Sequence, residues 1–356
     1  MSTLRQPRGL AVAGMTLLAG ISFSACAPTQ ESAAPEGRTG VESPVLPVPA
    51  LHHVGMNVVD PQASIDWYWR LWPSGRATTV ADMLAFEADM LLIFNKVETP
   101  APGAWDQEQH RSIPQSPFWH IGLSTDTTEA AARFDELGIT RLPLFRGPDD
   151  PVEVWRAGEM EFAGTLTAVE IADTERRDPV PGGFAYILGP DGELVETNGG
   201  PNTPETFRHI HFFAEQPSCT ARWYIDHLGA MQSDDEQSAG IPDPCDGEVG
   251  APSWPALEPL GTLRTPASSI MNRAMRAYPR QCQLGRCGDD QPLVSSRGQV
   301  LDHIGYTIPD LDTHIERLRG EGVSIMEEIS AFGDTRGALI EDVDGLVIHL
   351  IERREP

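Results

Sequence analysis

The chain has 356 residues, with 52 acidic against 26 basic side chains and a formal net charge of −26. That balance excludes nucleic acid and anionic membrane surfaces as partners, since both need clustered Lys and Arg. The length leaves room for about two domains of ordinary size.

Residues 1–26 read as an export signal. Arg5 and Arg8 form a short basic start, and Leu10 to Phe23 is an apolar stretch too short to span a bilayer. Small residues then lead into Cys26. This resembles a bacterial lipoprotein signal, in which the cysteine is lipidated and becomes the new N-terminus, although Phe23 stands where Leu is usual. The alternative is an ordinary secretory peptide cut near Ala25. No later apolar run is long enough for a membrane-spanning helix. The expected place is therefore the outer face of a bacterial membrane, periplasmic or cell-surface, with membrane contact only through the lipid anchor. Residues 27–49 are rich in Pro, Ser, Thr, Ala, Gly and Glu without periodicity, and read as a disordered tether.

Four short phrases follow that align without gaps: LHHVGMNV (51–58), FWHIGLST (118–125), FRHIHFFA (207–214) and LDHIGYTI (301–308). Each places a histidine third, at His53, His120, His209 and His303, inside a β-branched, apolar stretch that predicts a strand. Seven residues on, Asp60, Thr127 and Asp310 are good helix N-caps, and Gln216-Pro217 is a weaker version. The predicted helices are PQASIDWYWRLW, TEAAARFDELGI, PSCTARWYIDHLGA and LDTHIERLRGEGV. Further strands close each unit, and Asp-Gly turns precede the last strand in units two and four. Each unit is thus βαβββ. Trp67-Tyr68 and Trp223-Tyr224 recur in units one and three only, so the order is A-B-A-B and predicts domains at 50–202 and 207–354. Aligning the Asp-Gly turns puts Glu196 opposite His349, with Phe94 and Tyr278 at that place in the other two units.

Inward histidine, Asp-capped helix, Trp-Tyr pair, Asp-Gly turn and Leu-Val-Glu strand together resemble the vicinal oxygen chelate superfamily. It includes glyoxalase I, extradiol dioxygenases and bleomycin- and fosfomycin-resistance proteins. The resemblance covers almost everything from about residue 50 to 354. It implies an α+β fold in which four βαβββ modules pair into two cup-shaped domains, with metal ligands on the first and last strands. In the first domain these are His53, His120 and Glu196, a facial triad suited to divalent iron or manganese. In the second they are His209, His303 and His349, where zinc or iron is expected. His211 lies two residues from His209 and so shares its strand face, where the other units have Gly55, Gly122 and Gly305. It reads as a base or an extra ligand, or as a residue that fills the cup and hydrogen-bonds a neighbour.

The resemblance implies a metal-dependent enzyme of the glyoxalase or dioxygenase type, acting on a small molecule with two adjacent oxygens. A ring-cleaving dioxygenase, an isomerase and a lyase all stay open. The alternative is a surface-tethered protein that binds a small ligand or metal without turnover. A monomer and a homodimer are both compatible. Cys219, Cys245, Cys282 and Cys287 suit disulfides in an exported protein, with three pairings available. Insertions between Leu142 and Gly183 and from about Ser233 to Ser253 read as lids or as surface decoration.

Overall fold

The computed structural model describes residues 49–106, 111–139, 141–142, 144–147, 150–152, 183–215, 217–232, 261–264, 274–279 and 292–353. The expected signal, Cys26, nearly all of the expected tether, Cys245, Cys282, Cys287 and nearly all of both insertions lie outside these residues. Each repeated phrase forms the first strand of a unit: Ala50–Val58, Phe118–Ser124, Thr206–Ala214 and Leu301–Ile308. The four helices follow at Pro61–Leu71, Thr127–Leu137, Pro217–Leu228 and Leu311–Gly320. The caps behave as their chemistry requires. The Asp60 carboxylate accepts from the Gln62 and Ala63 amides with Pro61 opening the helix, and Asp310 accepts from the Thr313 amide. Among the described residues, no helix is long and apolar enough to cross a membrane.

In every unit the first strand runs parallel to the fourth, at Leu91–Lys96, Leu194–Gly199, Ala274–Pro279 and Val347–Glu352. The second and third strands extend the sheet beyond the fourth. Two such units share each eight-stranded sheet through an antiparallel seam of first strands. This is the expected α+β arrangement of four βαβββ modules in two cups.

The partners, however, are not unit one with unit two and unit three with unit four. Unit one pairs with unit four, through Ala50–Val58 against Leu301–Ile308. Unit two pairs with unit three, through Phe118–Ser124 against Thr206–Ala214. The divisions at 50–202 and 207–354 therefore cut across both sheets. The physical reason is connection length. Only residues 200–205 separate the fourth strand of unit two from the first strand of unit three. That link carries the chain round the end of the Phe118–Ser124 strand into antiparallel register beside it. Residues 97–117 separate units one and two, long enough to pass from one sheet to the other.

Unit one is joined to unit two, and unit three to unit four, by polar contacts from the A-type unit, in or just before its helix, to the B-type turn. Tyr68 donates its hydroxyl to Glu193 at 3.0 Å, and the Asp191 carboxylate accepts from the Val59 amide at 2.8 Å. The second pair repeats the pattern: Tyr224 donates to Asp342 at 3.1 Å, and Asp344 accepts from the Glu215 amide at 2.8 Å. The Trp-Tyr motif does contribute core packing, but its tyrosines also satisfy buried acids. Asp191 and Asp344 do more than form turns, because each ties its turn to the preceding unit. Phe94 packs its ring 5.8 Å from Tyr68 and belongs to the apolar core.

Burial pushes the Glu193 carboxyl from 4.5 up to about 7, against the opposing pull of the Tyr68 hydroxyl and the Asp191 amide. An acid whose folded value is raised contributes stability below its unfolded value, and that contribution is lost as pH rises through the folded one. Thermal melts should therefore show stability falling between about pH 4.5 and 7 through this group, by on the order of 3 kcal/mol at most. Glu193→Gln should flatten that part of the profile, and a profile unchanged by the substitution would refute the assignment.

Two candidate metal centres

An imidazole on one first strand needs room on the strand across the seam. The antiparallel register sets His53 opposite Gly305 and His303 opposite Gly55, and in the other sheet His209 opposite Gly122. A methyl group at Gly305 would lie 1.9 Å from His53, at Gly55 2.0 Å from His303, and at Gly122 2.3 Å from His209. The glycine two residues after each histidine is thus the cradle for the ring from the partner unit. The exception is His211, which stands where a glycine would face His120.

This seam decides which ligands meet. His120, Glu196, His209 and His211 converge in the cup of units two and three, with one donor atom from each lying within 4.8 Å of all the others. His53, His303 and His349 converge likewise in the cup of units one and four. The structure thus brings together all six expected ligand residues, but His53 and His209 change places relative to the sequence expectation. His53 does not join His120 and Glu196, and His209 does not join His303 and His349. The cause is the sheet pairing, because each cup draws its histidines from the two strands of one seam. The fourth positions also shift. Gly305 pairs with His349 and Gly122 with Glu196, so the equivalent partners of Gly55 and His211 are Ile93 and Arg276, not Phe94 and Tyr278.

In the carboxylate cup, His120 Nε2 lies 3.2 Å from Glu196 Oε2 and His209 Nε2 lies 3.5 Å from Glu196 Oε1. Asn198 donates to Glu196 Oε1 at 2.9 Å and steadies the carboxylate. The His211 ring stacks on His209 with centroids 4.0 Å apart and stands 4.7 Å from His120. His120 is wholly buried, yet among the described residues neither of its ring nitrogens has a well-aligned hydrogen-bond partner, and His209 Nε2 is in the same condition. Buried polar atoms are normally satisfied, so such orphans aimed at a carboxylate fit a divalent ion. Burial lowers His120 to about 4, only partly offset by Glu196. Burial would raise Glu196, but His209 and His120 outweigh it and hold the carboxyl well below its usual range. Neutral imidazole beside ionised carboxylate is the ligating form of both groups.

In the three-histidine cup, His53 Nε2 and His303 Nε2 are 3.0 Å apart, and the His349 ring centroid lies 5.5 Å from each of theirs. Burial, then the neighbouring imidazoles, holds His53 well below its ordinary value and takes His349 to about 3. A cavity opens over this centre, lined by Asn57, Asn95, Met83, Ile93 and Phe332.

No family model and no curated protein matches the sequence. Among solved structures, glyoxalase I from Zea mays matches with a TM-score of 0.53 at 14% identity, over 85% of this chain and 92% of that one. A candidate dioxygenase from Bacillus subtilis subsp. subtilis str. 168 matches with a TM-score of 0.51 at 11% identity, over 86% of each chain. The fold is that of the vicinal oxygen chelate superfamily. Within this vicinal oxygen chelate frame, both centres occupy the first and fourth strands of paired modules.

Sequence reasoning missed Asn198 and Asp302 as supporting residues. Asn198 was legible, because two residues from Glu196 on a strand means the same face. Asp302 was not, because the seam's register skips it and strict alternation assigns it to the other face. The cradle is directly testable. Gly122→Ala should force the His209 ring aside and strip metal from the Glu196 centre, measured as metal bound per chain. Gly320→Ala, where a methyl group would meet nothing within 4 Å, should leave metal content unchanged. Retention of metal by Gly122→Ala would refute the cradle.

Proposed function

We propose that the chain is a metal-dependent enzyme acting on a small molecule with two adjacent oxygens, with its reacting centre at His120, His209 and Glu196. The observation that carries this is the convergence of two buried imidazoles with orphaned nitrogens on one ionised carboxylate. Two histidines and one carboxylate leave coordination positions open and suit divalent iron or manganese. Such an ion, when bound, acts as a Lewis acid toward paired substrate oxygens.

The protein's own residues do the rest. Asn198 holds Glu196 in place, and Trp119, stacked at 4.7 Å on Phe213, helps wall the cup beside His120. His211 sits beside both ligand rings and serves as the base that takes a proton from the substrate hydroxyl or from the carbon next to it. Of the available chemistries we favour ring-cleaving oxygenation, because this donor set is the one used by non-haem iron oxygenases. We further propose that the chain is exported and lipid-anchored at Cys26, which metabolic labelling with a fatty acid would test through a Cys26→Ser variant.

The test is anaerobic purification of the full chain, metal analysis and oxygen-uptake assays on a panel of catechols. Turnover that needs iron or manganese, falls to background in Glu196→Ala and drops strongly in His211→Ala is the expected result. Metal binding without turnover on any catechol or other vicinal-oxygen substrate would instead support a binding protein.

A further inference from the structure

Every first strand skips one residue in its pairing, immediately before its histidine. The register passes over His52 and Asp302 in one seam, and over Trp119 and Arg208 in the other. These are β-bulges, which re-aim a side chain that regular alternation would send to the opposite face. In unit four the re-aimed residue is an acid. Asp302 is almost fully buried and its Oδ1 lies 2.6 Å from His303 Nδ1. Asn57 Nδ2, the Gly298 amide and Arg297 Nη1 donate to the same carboxylate, at 2.9, 2.6 and 3.1 Å, and fix its orientation. In unit two the bulge residue is Trp119, and His120 Nδ1 has no hydrogen-bond partner among the described residues.

The two cups therefore place a carboxylate differently. Glu196 faces its two histidines directly, whereas the cup of His53, His303 and His349 has imidazoles alone as donors. Its carboxylate stands behind the ring. Arg297 bridges Asp302 and Glu327, the latter at 2.7 Å, so these three groups keep a formal charge of −1 beside His303.

We propose that Asp302 is the positioning residue of the three-histidine centre. By accepting the Nδ1 proton of His303 it keeps the Nε2 lone pair aimed into the cup for a zinc-type divalent ion. Its charge also stands in for the carboxylate ligand this cup lacks. Carboxylate partners of this kind fix the tautomer of a ligating histidine and raise its basicity. The inference is independent of the chemistry proposed at Glu196, because it concerns the other cup.

The experiment uses the full chain carrying Glu196→Ala together with His209→Ala, which leaves the other cup only His120 and His211, so that tight zinc binding reports on the centre of His53, His303 and His349. Zinc affinity is measured by chelator competition, and the ligand field by the absorption of the cobalt form. Asp302→Asn, which keeps the shape and removes the charge, should weaken zinc roughly 10- to 100-fold and alter the cobalt spectrum. Arg336→Met removes ion pairs to Asp312 and Glu352, and Arg336 neither bonds Asp302 nor lines the cavity, so it should leave zinc affinity and the cobalt spectrum intact. Zinc affinity and spectrum unchanged in Asp302→Asn would overturn the proposal, as would a loss no larger than that in Arg336→Met. So would the absence of zinc binding in the parent. Should Asp302→Asn not fold, nitrogen-15 NMR of the parent decides: a proton on His303 Nδ1 supports the proposal, and one on Nε2 overturns it.

Discussion

The structure turns on the fit of an imidazole over a glycine across an antiparallel seam. Only glycine leaves the volume that the ring from the opposite strand takes up, and three of the four first-strand histidines lie opposite one. The seam joins two units into one sheet and at the same stroke brings two histidines from distant parts of the sequence to one point. The fourth strands then add the last candidate ligand, Glu196 or His349, in parallel register with those same strands. Fold and site are thus one arrangement, and a methyl group at the seam disturbs the site first.

Where the pattern breaks, the two cups diverge. His211 replaces the expected glycine opposite His120, so three imidazoles and a carboxylate crowd the cup of units two and three. The cup of units one and four keeps both glycines, holds three histidines, and opens into a cavity lined by apolar and amide side chains together with Arg297, Asp302 and Glu327. Each cup still has one carboxylate close at hand, facing two histidines in one and behind a histidine ring in the other.

Much of this was legible in the sequence. The four phrases, the Asp60 and Asp310 caps and the Asp-Gly turns gave the units, and all six ligand residues fall in one or other centre. The pairing of units was not legible from the motifs, because every histidine phrase could dock on any other. The signal lay in the linkers, where residues 200–205 permit a direct antiparallel return and residues 97–117 do not require one. Alignment by Asp-Gly turns failed for Phe94 and Tyr278 because units one and three lack the turn, which left the register of their last strands unanchored. Asp302 was hidden by its bulge: strict alternation assigns the residue before an inward histidine to the other face.

The central claim is that Glu196 shares its ion with His209 and not with His53. Metal bound per chain, measured in Glu196→Ala, His209→Ala and His53→Ala and in their pairwise combinations, tests this most directly. The account predicts that Glu196→Ala and His209→Ala remove the same equivalent, so that their combination loses no more than either alone. His53→Ala combined with either should lose a second equivalent. Loss of one shared equivalent by Glu196→Ala and His53→Ala, with His209→Ala acting separately, would contradict it.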